Sequence, residues 1–421
     1  MNFLLEDEMS LTTERPNLLI MVICGLLTNL VVIAFARMAY GIILPSMRAD
    51  LGLSYQQAGI LGTVTALGYV LFVLAGGVAA ARFGARPTIV LGLTMVALGF
   101  AGLTLASHYW LLLALMALLG LGTAFSFAPM VSLQATWYPE KRGLVIGLMS
   151  SGIGLGVLVV GALVPLMTQL FGENGWRVSW GVFCAVAVLV AMLVTLFVKD
   201  PPRLATDSRE TPPSDDKWLI YRNHRVVTVA TVYGIVGVTF IVQAIFMISF
   251  MVEEGHNDAT AGAFMAMMGL LSIAAGPLWG WLSDYWGRSN ALIASLGLVT
   301  LAMGLPLLDQ SLVTFFLHFL IMGLSVNGMF ALIQASAMDQ VAPRYISIAF
   351  SFVTMFFAAG QLVGPVVAGW LIESRGGFRA AFGFTFVVLL AGVYLALRIR
   401  QFPAEYAVGA KPPETTPCPP N

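Results

Sequence analysis

Long apolar stretches separated by short charge-bearing segments run along almost the whole chain, and this alternation is its dominant pattern. The stretches from Pro87 to Pro139 and from Val226 to Met251 contain no Asp, Glu, Lys or Arg. Each exceeds the roughly 20 apolar residues that a helix needs to cross a hydrocarbon core. Apolar length, loop charges and chain breakers together predict twelve helical spans. The first six run from Leu18 to Leu44, Ser54 to Ala80, Pro87 to Ser107, Tyr109 to Trp137, Gly143 to Leu170 and Val178 to Val198. The second six run from Val226 to Val252, Ala259 to Ser283, Asn290 to Leu308, Ser311 to Gln340, Ile346 to Ile372 and Phe378 to Leu397. Between the two sets, Lys199 to Arg225 carries Pro201-Pro202, Pro212-Pro213 and alternating charges, the composition of a solvated linker. The expected organisation is a tail over 1–17, a six-helix half over 18–198, a linker over 199–225, a six-helix half over 226–397 and a disordered tail over 398–421. The fold class is therefore all-α, a membrane protein of two pseudo-symmetric six-helix halves.

Composition removes the soluble alternative. Of the 421 residues 59% are hydrophobic and 10% charged, against about 25% charged in ordinary soluble proteins. The lipid bilayer is thus the first partner. The 21 basic and 21 acidic side chains cancel, so no basic surface calls for nucleic acid. Cys24, Cys184 and Cys418 are too scattered for a disulfide framework, and His108, His224, His256 and His318 form no metal motif. No His-Glu-x-x-His, Gly-x-Ser-x-Gly or nucleotide-binding loop is present. Neither an enzyme nor a cofactor nor an autonomous ATP-driven pump is expected, and nothing calls for more than a monomer. Met1 to Arg15 places Glu6, Asp7, Glu8 and Glu14 ahead of a long span, the wrong order for a cleaved signal, so that span is taken as retained.

Loop charges set the expected orientation, because basic residues favour the cytoplasmic side. With both termini inside, only Arg48, Arg177, Arg375 and Arg379 fall outside, Arg37 lies within a span, and every other Lys and Arg is cytoplasmic. A multi-pass protein of the cell's inner membrane follows.

The halves overlay with an offset of about 203 residues. Gly77, Ala81, Arg82, Phe83 and Gly84 then face Gly280, Asp284, Tyr285, Trp286 and Gly287, while Gly120-Leu121 and Pro139 face Gly323-Leu324 and Pro343. On these residues nearly the whole chain resembles the major facilitator superfamily. That family's loop signature, Gly-x-x-x-Asp-Arg-x-Gly-x-Arg, is met by Gly77, Arg82, Gly84 and Arg86, with Ala81 in place of the acid. After the eighth span Gly280, Asp284 and Gly287 repeat it, with Tyr285 in place of the first Arg and Arg288 one position ahead of the last. The resemblance implies the major facilitator fold, rocker-switch alternating access, and charge contacts by these loops at the cytoplasmic gate. A tight turn with positive-inside anchoring explains the same residues equally well. The family's fourth-span Arg is absent, with Met116 near its place, and so is the fifth-span Gly-Pro element of many drug exporters. Gly152, Gly156 and Gly161, like Gly360, Gly364, Pro365 and Gly369, are expected to be packing surfaces. The string Phe35, Arg37, Tyr40, Pro45, Met47, Leu51, Gly52, Leu53 and Ser54 resembles a bacterial YbfB- and YjiJ-like branch, a match that names no substrate.

Arg37 is the one charge well inside a span. Such a charge costs from about 3 kcal/mol upward, and the cost must be offset. At 1.5 Å per residue it lies about 10 Å from the outer end of its helix, with Asn29 and Tyr40 within an arc of roughly 80° on the same side. No acid lies at comparable depth, so an anionic substrate is a natural partner for the guanidinium. The alternative is that Arg37 snorkels outward or bonds backbone carbonyls. In the second half Asn327 and Gln334, and likewise Thr354 and Gln361, are seven residues apart and share a face, with Gln243 at a depth close to that of Arg37. These amides are candidates for a neutral side of the site, or for interhelical hydrogen bonds. Tyr69 and the many Phe and Met residues are taken as packing. The expected function is secondary active transport of a small organic anion, a carboxylate, with a coupling proton that its own carboxyl can carry. A carrier or exporter of a neutral apolar metabolite or drug is the alternative. A non-transporting receptor is disfavoured because no soluble output domain is visible.

Overall fold

An apolar surrounding supplies no water to backbone N–H and C=O groups, so they must bond along the chain. In the computed structural model, which describes residues 16–138, 142–200, 217–341, 346–374 and 376–402, the elements are accordingly helical. In order they are α1 (Leu18–Asn29), a π-helical segment (Leu30–Met38), α2 (Ala39–Leu51), α3 (Tyr55–Phe83), α4 (Ala85–Leu105), α5 (Tyr109–Trp137), α6 (Arg142–Phe171) and α7 (Gly175–Phe197). There follow α8 (Lys217–Arg222), α9 (His224–Glu253), α10 (Asp258–Trp286), α11 (Arg288–Leu308), α12 (Leu312–Met338), α13 (Ile346–Ser374) and α14 (Gly377–Ile399). Among the described residues eleven stretches are long and apolar enough to cross a membrane, one of them, Gly147–Phe197, being 51 residues long. A 3-10 turn over Gly172–Asn174 breaks that stretch into α6 and α7.

Polar residues start the helices where the sequence offers them. Ser54 and Gln57 form a reciprocal capping box at α3, while Asn223, Asn257 and Ser311 accept from the first turns of α9, α10 and α12. Three features differ from expectation. The first span runs beyond Leu44 to Leu51, because Pro45 removes one donor without stopping the helix, and Gly52 ends it at φ 63°. Its centre is π-helical, which no periodicity in the apolar run Leu30–Met38 reveals. The linker is not wholly solvated, since Lys217–Arg222 is a helix with Ile220 buried and Tyr221 edge-on to Phe352 of α13 at 5.1 Å. Residues 1–15, 201–216 and 403–421, with Pro139, Lys141, Pro343, Arg344 and Arg375, lie outside the described residues.

The packing of the first half recurs in the second. Helices α3, α4, α5 and α7 pair as α3–α5, α4–α5 and α4–α7; α10, α11, α12 and α14 pair as α10–α12, α11–α12 and α11–α14. The helix α1 to α2 packs on α6 as α9 packs on α13, and the two sets meet through α6–α10, α3–α13 and α2–α9. Small residues permit these approaches, since lipid chains give helices no apolar reason to associate. A Cβ on Gly41 would overlap the carbonyl of Ala244, and one on Gly59 that of Pro365. Both contacts lie toward the end of the bundle remote from Leu18 and Ile399. There Tyr55 of α3 also donates to Glu253 of α9 at 2.9 Å and meets Phe378 edge-on at 4.9 Å. Toward the other end, Gly77 of α3 and Gly280 of α10 have nothing within 4 Å of a built Cβ.

Arg177 ties the remote end of the first half together. It pairs with Asp50 at 3.1 Å and donates to the carbonyls of Thr104 and Ala106, which end α4, at 3.2 and 2.8 Å. Trp176 Nε1 reaches the same Asp50 oxygen at 3.2 Å. Removing one charged partner from such a set costs about 1–3 kcal/mol, less where water reaches it. Arg177→Ala is therefore expected to lower the melting temperature of the purified protein without altering substrate affinity. Unchanged melting would show that the network adds nothing to stability.

Candidate functional site

Arg37 stands near the end of the π-helical segment, where the N–H of Ala39 bonds to Ala34 five residues back. Wider turns of this kind often mark functional positions, because they re-aim side chains that an α-helix would place elsewhere. The guanidinium crosses the junction of the two halves. Its Nη2 donates to Gln361 Oε1 of α13 at 2.6 Å, and its carbon lies 5.2 Å from the ring centre of Tyr69 on α3. Among the described residues no carboxylate pairs with it, and only one of its five donors has a protein acceptor. A crevice of about 260 Å³ opens beside it, lined by Arg37, Tyr40, Gly62, Thr65, Met116 and Ile245 among others. Its interior is narrow, with room for about one water. Tyr40 is held by donating to the carbonyl of Ala58 at 2.9 Å.

The structure thus brings Arg37, Tyr40 and Gln361 together and places the other candidates elsewhere. Asn29 Nδ2 donates to the carbonyl of Met149 on α6 at 3.0 Å, because the π-helical turns separate it from the face of Arg37. Gln243 lies between Ile241 and Ile245, which both line the crevice. At about 100° per residue it faces away from them, toward the interior of the second half. Asn327 donates to the carbonyl of Ser272 at 2.9 Å and Gln334 to the hydroxyl of Tyr233 at 2.7 Å, both within the second half. Thr354 bonds to Phe350 of its own helix. The residues that sequence reasoning passed over are Gly62, Thr65 and Tyr69. Their spacing of three, four and seven residues is that of one helix face, a signal that could have found them. Met116, at the place of an absent Arg, closes the crevice.

The paired loops have matched backbones. Gly84 (φ 109°) and Gly287 (φ 83°) each end one helix and begin the next, a conformation that side chains resist. Asp200 accepts from the Arg86 N–H at 2.8 Å, and a Cβ on Gly84 would come within 2.6 Å of its carboxylate. The Arg86 guanidinium bonds to the carbonyl of Thr195. Arg288 pairs instead with Asp339, just past α12, at 3.2 Å. Burial pushes the Asp339 carboxyl up, and the Arg288 charge opposes the shift. Asp284 is exposed and has no ion pair or hydrogen bond among the described residues. Arg82 lies over the ring of Phe83 at 5.4 Å.

The sequence model of the family described as uncharacterised MFS-type transporter YbfB matches residues 29–397. The chain is 25% identical to the hexuronate transporter of Bacillus subtilis (strain 168), an alignment covering 92% of this chain and 94% of the relative. It is likewise 25% identical to monocarboxylate transporter 12 of Xenopus laevis, over 76% of this chain and 77% of the relative. A crystal structure of the nucleoside transporter NupG is similar in fold, with a TM-score of 0.74 at 13% identity, covering 91% of this chain and 98% of the other.

Proposed function

Because the chain belongs to the MFS-type transporter family of the YbfB description, and is thus a multi-pass membrane protein, we propose that it moves a small organic anion, a carboxylate, by alternating access. The observation that carries this is Arg37, a guanidinium deep in the bundle whose one side-chain acceptor is the neutral amide of Gln361. A planar carboxylate fits that fork at two points and adds the missing charge. The Gln361 contact then holds the empty site and yields to substrate. Relatives named for hexuronate and monocarboxylate transport support the same chemical class.

In this proposal Gly147–Phe197 crosses twice, which gives twelve crossings in two halves, 18–198 and 226–397, with both termini in the cytoplasm. The remote end closed by Tyr55, Gly41 and Gly59 is then the outer side, and the conformation is inward-facing. The test is thermal stabilisation of the purified protein by a panel of carboxylates and their neutral amides. Carboxylates alone should stabilise it, by about 2.7 kcal/mol at a hundredfold excess over Kd. Stabilisation by the amides alone would overturn the proposal.

The inner loops act as the gate. Asp284, unpaired in this inward-facing state, takes its partner when the inner side closes. Asp284→Asn should therefore raise the reactivity of cysteines placed in the inner cavity. Unchanged labelling with normal transport would leave only a turn and an anchor.

A further inference from the structure

Past the guanidinium of Arg37, the crevice beside it offers two polar side chains, Tyr40 and Thr65. Both are almost wholly buried, and the hydroxyl hydrogen of each is already placed. Tyr40 donates to the carbonyl of Ala58 at 2.9 Å, and Thr65 to that of Leu61, one turn back on its own helix, at 3.3 Å. Each can accept from a substrate but has nothing left to donate. The remaining lining is Gly62 and Ala66 of α3, Met116 of α5, and Ile241 and Ile245 of α9. Their side chains offer no donor, and their backbone groups lie inside helices. Water cannot make up the shortfall, because the enclosed space holds about one molecule.

Ile245 and Met116 bound this space from the two halves of the protein. The position of a Cβ on Gly62, which lies 3.7 Å from Tyr40 Cε1, is taken by Ile245 Cδ1. Ile245 thus reaches from α9 onto α3 beside the Tyr40 ring. Met116 and Ile245 are each 1% exposed, so neither turns away without displacing a close-packed neighbour. Arg37 is the one charged group among the described residues of the lining, and its fork suits one carboxylate.

Building on the carboxylate reading above, on which this inference rests, we propose that the transported anion is a monocarboxylate with a slender, hydroxyl-free tail, and that Ile245 and Met116 set the tail length accepted. The carboxylate stays on Arg37 while the tail lies along the wall of Ala66, Met116 and Ile245. A hydroxyl buried there can give its hydrogen to Tyr40 or Thr65 but receives none in return, and a polar group left short of partners in an apolar site weakens binding. A uronic acid, whose ring carries hydroxyls along its edge, matches neither the width of the crevice nor its wall. A dicarboxylate would bring a second charge to a lining with no second cation.

The experiment measures dissociation constants from ligand-induced melting shifts of the full chain in lipid nanodiscs. Butyrate is paired with β-hydroxypropionate and valerate with γ-hydroxybutyrate, so that each pair differs by a terminal methyl against a hydroxyl; glucuronate and succinate are added. In the wild type the hydroxyl-free member of each pair should bind about ten-fold to a hundred-fold tighter, and glucuronate and succinate no better than the hydroxy acids. Ile245→Ala and Met116→Ala should each raise the affinity for hexanoate relative to butyrate by about ten-fold or more. A substitution that only loosens helix packing changes every acid by one factor and leaves that ratio alone. Equal binding within both pairs, glucuronate or succinate binding tighter than valerate, or an unchanged ratio in both variants overturns the proposal. The amides separate it from the anion reading: valeramide binding as valerate does, with γ-hydroxybutyramide rejected, removes the charge and keeps the apolar wall. Binding by none of these acids and amides overturns both.

Discussion

Arg37→Lys is expected to reach the membrane at close to the normal level and to bind carboxylate substrate roughly ten-fold to more than a hundred-fold more weakly. Lysine keeps the positive charge and can extend toward water, but it lacks the planar fork that meets two carboxylate oxygens at once. Losing one charge-assisted hydrogen bond removes about 1.5–3 kcal/mol. Lysine also gives up the stacking of the guanidinium on Tyr69. Arg37→Gln should go further and abolish binding, with Gln361 left facing a second neutral amide. If Arg37 instead only anchors its helix, the Lys variant should transport normally and the Gln variant should chiefly lower protein yield.

Gly41→Ala is the second large effect. The added methyl group would overlap the backbone carbonyl of Ala244, which cannot swing aside as a side chain can. Closure of α2 against α9 must then loosen. Overpacking of this kind costs about 1–3 kcal/mol, enough to shift the balance between the outer-closed and outer-open states roughly five-fold to more than a hundred-fold. Transport should fall to a small fraction. A cysteine at Thr63, whose hydroxyl reaches the carbonyl of Leu362 on α13, should become reactive to an impermeant thiol reagent from outside. Gly280→Ala, with nothing within 4 Å of the new carbon, is the matched control and should leave labelling unchanged. Equal labelling in both variants would contradict the assignment of the Gly41 contact to outer closure.

The helices were legible because one physical requirement, apolar length between charged loops, sets them, and because Ser54, Asn223, Asn257 and Ser311 mark their starts. Gly84 and Gly287 were equally visible, since a positive φ narrows the choice of residue. Helix rotation was not legible. Every face of Leu30–Met38 is apolar except at Arg37, so no periodicity betrays the π-helical turns that move Asn29 away from Arg37. The same limitation explains Gln243, whose depth can be read from its position but whose direction depends on which face of α9 meets α2. Tyr69 escaped because an aromatic side chain in a span has the same signature whether it packs on lipid or on a guanidinium. Asp50 and Arg177 are 127 positions apart, and nothing in either neighbourhood announces their pairing.

The central claim, that Arg37 receives the carboxylate of a transported anion, is tested most directly by uptake into proteoliposomes under an imposed pH gradient, with carboxylates and their neutral analogues offered in parallel to the wild type and to Arg37→Lys. The account predicts accumulation of at least one carboxylate, none of the matching neutral compound, and an apparent affinity for that carboxylate at least about ten-fold weaker in the variant. Accumulation of neutral solutes with carboxylates excluded, or a Lys variant of unaltered affinity, would contradict it.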